Sequence, residues 1–141
     1  MAFALISAYD RTGITGLALS LQDAGYKLLS TGGTHRDLST AGLEVRLVAD
    51  VTGFPEILGG RVKTVHPRIH GGLLAKRANS GHMDELRNHG IEPVDFVVSN
   101  LYPFVKAVSL ADASLDDALE NIDIGGPAMI RAAAKNFPDV V

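Results

Sequence analysis

Four stretches of the sequence concentrate residues that bind or move charge. "LLSTGGTHRDL", Leu28 to Leu38, runs two apolar residues into Ser30, Thr31, Gly32, Gly33 and Thr34 before a helical pattern begins. Glycines let a backbone approach a ligand closely, hydroxyls add donors, and the N–H groups at a helix start attract an anion. A phosphate suits such a loop, and a plain turn capped by Ser or Thr is the alternative. "SAYDRTG", Ser7 to Gly13, places Arg11 in a second loop between a strand and a helix, which favours the phosphate. Neither GxxxxGK nor GxGxxG occurs, so nothing points to a nucleoside triphosphate or a dinucleotide.

"GGRVKTVHPRIHGG", Gly59 to Gly72, is a basic, glycine-bounded segment. Arg61 and Lys63 alternate, so an extended backbone would present both on one side; a solvated basic edge is the alternative. His66 and His70 have the spacing of a helical metal pair. Pro67 disfavours helical geometry at His66, and no third ligand stands nearby, so both are expected to be structural and no metal site is expected. In "ENIDIGGPAMIRAAAKN", Glu120 to Asn136, Asp123 precedes a predicted helix start, where a carboxylate either caps the helix or handles a proton. Lys135 follows Arg131 by four residues and shares its helix face; an exposed helix-end cation is the plainer reading. A helix rises about 1.5 Å per residue, so Lys135 lies roughly 12 Å along the axis from Pro127. Asp123 and Lys135 therefore reach one ligand from different sides, or a second subunit brings Lys135 to the site. Tyr102, in "NLYPF", is either a site hydroxyl or a packing aromatic.

The elements that must position these residues alternate. Strands are expected at Phe3 to Ser7, Tyr26 to Ser30, Glu44 to Val48 and Asp95 to Ser99, and helices at Ile14 to Ala24, Thr34 to Ala41 and Pro127 to Asn136. Ser114 and Asp117 resemble a capping box opening "SLDDALEN". Alternating strands and helices imply an α/β domain with a parallel sheet flanked by helices, binding ligands at the carboxyl ends of its strands. Asp50 to Ala75 carries five glycines and two prolines and shows no clear element.

Composition sets the class. The 141 residues are enough for one domain with a core, and 46% hydrophobic with 21% charged is ordinary for a globular protein. A net charge of −3 argues against a general nucleic-acid or membrane-surface partner. Without cysteine there is no disulfide, thiolate nucleophile or cysteine–zinc site. "MAFALISAYD" lacks the pattern of a signal peptide, and a cytoplasmic location is expected. From composition and spacing alone, the reading is an α/β domain that binds a small phosphorylated ligand.

Taken in order, "SAYDRTG", "STGGT", "VTGFPE", "GRVKTVHP", "NLYPF" and "NIDIGGPAMIRAAAKN" closely resemble the inosine monophosphate cyclohydrolase domain of the bifunctional purine-biosynthesis enzymes, from about Ala4 to Val141. "GRVKTVHP" and "NIDIGGPAMIRAAAKN" are specific in combination. The resemblance implies a methylglyoxal synthase-like fold over residues 1–141. It implies dehydrative closure of 5-formamidoimidazole-4-carboxamide ribonucleotide to inosine monophosphate, with no cofactor or metal, in a homodimer. By the same resemblance, Ser7, Arg11, Ser30, Thr31, Gly32, Gly33, Thr34 and Thr64 surround the ribonucleotide phosphate. Arg61, Asn100, Gly125 and Gly126 complete the substrate pocket, and Lys63, Tyr102, Asp123 and Lys135 occupy the catalytic positions. Arg11 stands where the family usually has lysine, and Gly59 where relatives are often acidic. Relatives continue beyond an apparent strand at Val141 into the rest of the cyclohydrolase domain and then a transformylase, whose activity these residues are not expected to supply. Methylglyoxal synthase and a nucleotide-sensing regulatory domain of the same fold are the alternatives.

Overall fold

Alternation along the first strand sorts the core into two layers. In β1 (Phe3–Ala8), Phe3 and Leu5 pack on one side of the sheet and Ala4, Ile6 and Ala8 on the other. All five are buried, as expected of a central strand covered on both faces. The computed structural model describes residues 3–141. It sets β1 between β2 (Lys27–Ser30) and β4 (Val94–Asn100), with β3 (Val45–Leu47) outside β2. The order is β3-β2-β1-β4 and every pairing is parallel.

Helices cover both faces because each offers one apolar stripe. Ile14, Ala18 and Leu21 of α1 (Ile14–Asp23) and Leu38 of α2 (Gly32–Thr40) pack with Ala4, Ile6 and Leu28. On the opposite face, Val48 of α3 (Val48–Thr52), Ile69 and Leu73 of α4 (Pro67–Leu74), and Met129 and Ala132 of α8 (Gly125–Lys135) pack with Phe3, Leu5, Leu29 and Val94. Full burial of one such Leu or Ile is worth about 1.5–3 kcal/mol. The remaining helices are α5 (Ser80–Asn88), α6 (Phe104–Val108) and α7 (Leu115–Glu120). No helix among the described residues is long and apolar enough to cross a membrane.

Asp50 to Ala75 is more ordered than its composition suggests. It holds most of α3, a short 3₁₀ turn at Leu58–Gly60, and all of α4. Pro67 does not exclude a helix here, because it occupies the first helical turn, where its missing N–H costs nothing. The extended His66 caps that helix, its Nδ1 accepting the Arg68 N–H at 3.1 Å. The glycines of "PRIHGGLL" weaken the helical signal but permit close packing, since a Cβ on Gly72 would fall 2.7 Å from the Glu92 carbonyl oxygen. Elsewhere each expected element is present within a few residues, α5 and α6 were not expected, and the Ser114–Asp117 capping box is present in both directions. Val141 pairs alongside β4, donating to the Asp95 carbonyl at 2.9 Å and accepting from the Val97 N–H at 2.8 Å.

Candidate active site

The strand order reverses beside β1, because β2 and β3 lie on one side of it and β4 on the other. Such a switch point opens a crevice at the carboxyl ends of the strands. Ser7 and Ala8 there lie beside Ser99 and Asn100. Asn100 closes the crevice with its carboxamide. Its Oδ1 accepts the N–H groups of Tyr9 (2.7 Å) and Asp10 (3.0 Å), and its Nδ2 donates to the Asp10 carbonyl (2.7 Å). Asn100 thus shapes the loop that carries Arg11. Asp10 stiffens the same loop by accepting the Thr12 N–H at 2.9 Å, and the Thr12 amide and hydroxyl hold its carboxyl below the usual aspartate range.

The "STGGT" loop opens α2. Thr31 is the extended N-cap and makes no side-chain cap to the helix. Two cations from other loops meet the bare glycines. A Cβ on Gly33 would fall 2.9 Å from an Arg11 guanidinium nitrogen, and one on Gly32 would fall 3.3 Å from Lys63 Nζ. Gly32 also takes a left-handed φ of 50°, so glycine is favoured there for backbone as well as for space. Asp37 of α2 holds Arg11 in place, with Nε 2.5 Å from the carboxylate. An uncapped helix N-terminus flanked by two cations is an anion site in physical terms. Two of the expected hydroxyls are occupied elsewhere. Ser30 Oγ is buried and donates to the Ile6 carbonyl at 2.6 Å, and Thr34 Oγ1 donates to the Ala8 carbonyl at 3.0 Å. Both clasp β1 and fix the loop from behind.

Arg61 and Lys63 do not share a side. The backbone at Arg61 is helical (φ −66°, ψ −24°), so the alternation of an extended chain does not apply. Arg61 pairs with Glu120 of α7, which raises its pKa. Lys63 turns instead into a small recess with Thr31, Gly32 and Glu56, about 30 Å³ in volume.

Asp123 and Lys135 line one open groove of about 890 Å³, together with His70, Ile124, Pro127 and Arg131. They do so within a single chain. Asp123 Oδ1 accepts the Gly126 N–H at 2.9 Å, so the carboxylate also ties off the start of α8. The segment that carries Asp123 approaches the Lys63 segment where Thr64 meets Gly125: a Cβ on Gly125 would fall 2.7 Å from Thr64 Oγ1. Gly126 is equally tight, against Leu101 (2.6 Å) and the Asp123 carboxylate (2.7 Å). Tyr102 stands half-exposed at the end of β4, edge-on to Tyr9 with ring centroids 5.8 Å apart.

Glu56, which carries no expected role, and His70, expected to be structural, enter these recesses. Glu56 pairs with Lys63 at 3.0 Å, a partnership that the sequence carries only as one more acidic residue in an irregular segment. His70 faces the groove from α4, whereas His66 is committed to capping. Among the described residues no cluster of three His, Asp or Glu side chains could hold a metal ion.

Comparison with known proteins bears on the family and the fold. The family model for the MGS-like domain matches residues 13–128. The bifunctional purine biosynthesis protein PurH of Oceanobacillus iheyensis is 55% identical over 138 residues, which is 98% of this chain and 27% of PurH. The chain thus spans about a quarter of the length of that relative. The crystal structure of ForH superposes with a TM-score of 0.81 at 37% identity, covering all of this chain and 70% of ForH.

Proposed function

The chain belongs to the MGS-like domain family, and from that premise we propose that it is a cyclohydrolase domain of purine biosynthesis, closing 5-formamidoimidazole-4-carboxamide ribonucleotide to inosine monophosphate. The observation that carries the reading is that Arg11 and Lys63 stand over adjacent glycines at the uncapped start of α2, while the Thr64–Gly125 contact joins the Lys63 segment to the one that carries Asp123. Similarity to a purine biosynthesis protein over nearly the whole chain supports the substrate class.

The reaction joins the carboxamide nitrogen to the formyl carbon and then expels water. In this reading the α2 N-terminus and Arg11 hold the ribonucleotide phosphate, with Thr31 and Thr64 lining the approach. Asp123 takes a proton from the attacking carboxamide nitrogen. Lys63 offers its charge to the oxyanion that forms on the former formyl oxygen. Lys135 protonates that oxyanion to a hydroxyl. The hydroxyl leaves as water with the proton that Asp123 took. The former formamido nitrogen returns its N–H proton to Lys135 as the ring C=N bond forms, and Tyr102 orients the heterocycle. Each role is ordinary acid–base or electrostatic catalysis and needs no redox group. Gly125 and Gly126 keep the loops close enough to act on one ligand. The proposed unit is the whole of residues 1–141, and a homodimer is part of the proposal.

Methylglyoxal synthase remains the competing reading, because the family model is named for it and a triose phosphate would fit the same cradle. Incubation with dihydroxyacetone phosphate decides between them. The proposal expects no methylglyoxal, together with calorimetric binding of inosine monophosphate. Methylglyoxal formation without nucleotide binding would reverse the assignment. Nucleotide binding without turnover of either substrate would make the chain a sensor.

A further inference from the structure

We propose that Glu56 is a positioning residue for Lys63, holding its ammonium at the mouth of the Thr31–Gly32 loop until an anionic group of the ligand takes it over. The proposal rests on the functional reading above only for the identity of that ligand.

The local sequence builds the pair. Ile57 and Val62 form an isolated antiparallel bridge, each N–H donating to the other's carbonyl at 3.3 and 3.4 Å. In an antiparallel register the residues one step outward stand opposite each other, and here they are Glu56 and Lys63. The chain between them turns through Leu58, Gly59 and Gly60, all left-handed, with φ of 54°, 64° and 92°. Leu58 is the one non-glycine residue with positive φ among those described. Such backbone strain persists where the surrounding contacts over-determine it, and it clusters at functional sites. The turn also closes directly onto the pair. A Cβ on Gly60 would fall 2.6 Å from Glu56 Oε1 and 2.8 Å from Lys63 Cε.

The result is an ammonium paired with one carboxylate and standing over a bare glycine. Its Nζ lies 3.0 Å from Glu56 Oε1 and 3.3 Å from where a Gly32 side chain would begin. The Lys63 side chain is 26% exposed and that of Glu56 41%. Lysine carries a long flexible stem, and an unheld ammonium spreads over many rotamers. Electrostatic stabilisation of a transition state depends on a charge already in place when the opposite charge develops. A carboxylate fixed across a strained turn supplies that placement, and its exposed flank leaves room for release.

The test is a comparison of Glu56→Ala and Glu56→Gln with the wild-type chain. Both variants are expected to keep the wild-type melting temperature and lose turnover at least tenfold. Affinity for inosine monophosphate should be unchanged or tighter, because a negative charge beside an anion site has been removed. A merely structural role would weaken binding and melting together. Turnover within twofold of wild type in both variants would overturn the proposal. A second readout does not depend on activity: the ¹³C-methyl resonance of reductively methylated Lys63, identified with Lys63→Arg. Glu56→Ala should move it to the position of exposed lysines, and an unmoved resonance would overturn the proposal. A wild-type chain that makes no inosine monophosphate contradicts the functional reading, and the resonance then decides the Glu56 assignment by itself.

Discussion

The Thr64 hydroxyl occupies the space that a side chain on residue 125 would need, 2.7 Å from the Cβ that glycine lacks. This contact joins the lysine-bearing segment to the start of α8. On helix propensity alone, Gly125→Ala at the first residue of α8 should stabilise the chain by less than the about 0.8–1 kcal/mol of a helix interior. Overpacking against the buried Thr64 costs about 1–3 kcal/mol. We expect the second effect to win, lowering the melting temperature by about 2–5 °C and turnover at least tenfold. Adding Thr64→Ala should restore the melting temperature but not the turnover. A rise in melting temperature for Gly125→Ala alone would mean that the contact is not tight.

Arg11 should act in binding more than in chemistry. It lies over Gly33 and is held by Asp37. Arg11→Ala is expected to raise KM tenfold or more with a smaller fall in kcat, the signature of lost ground-state anchoring. Arg11→Lys should keep most activity, although a point charge replaces a fork. Thr31→Asp should abolish binding of inosine monophosphate by placing a negative charge at the cradle. Calorimetry and steady-state kinetics check all three, and an unchanged KM for Arg11→Ala would remove that residue from the phosphate site.

Asp123 and Lys135 line one groove of one chain. Asp123→Asn and Lys135→Ala should therefore each lower turnover by about a hundredfold or more, and mixing the two variants should not restore it. Recovery of activity in the mixture would show a site shared between subunits.

Away from the site, Glu92, just before β4, pairs with Lys27 of β2 (2.7 Å) and Arg46 of β3 (3.2 Å) and so ties the entry to β4 to the far side of the sheet. The Lys27 hydrogen bond is the main cause that holds its carboxyl below the ordinary 4.5. A carboxyl lowered on folding stabilises fully above its unfolded pKa and loses that contribution as pH falls through the folded value. Glu92→Gln should cost about 0.5–1 kcal/mol at pH 7, a modest figure because solvent screens the pairs. The difference from wild type should shrink in denaturant melts as pH falls below 4.5 and through the lowered folded value. A deficit that persists there would trace to packing.

The strands and flanking helices were legible because β-branched runs and helical spacing report burial directly. The Ser30–Thr34 stretch was legible as a strand-to-helix turn because its glycines follow β2 and open α2. The segment from Asp50 to Ala75 was not, because its order comes from tertiary contact: α4 tolerates adjacent glycines only by packing on the approach to β4. Arg61 misled because the alternation rule assumes an extended backbone, which a single helical residue breaks. Glu56 was invisible because its partnership with Lys63 depends on a one-pair bridge and a left-handed turn. Ser30 and Thr34 were legible as part of the loop, but a string of letters does not say that their hydroxyls turn back to β1.

The central claim is tested most directly by supplying the purified chain with 5-formamidoimidazole-4-carboxamide ribonucleotide and following inosine monophosphate as it forms. The account predicts turnover without added metal or cofactor, unaffected by chelation, and reduced about a hundredfold or more by Asp123→Asn at an unchanged melting temperature. A folded wild-type chain that binds the nucleotide yet forms no inosine monophosphate, or an Asp123→Asn variant as active as wild type, would contradict it.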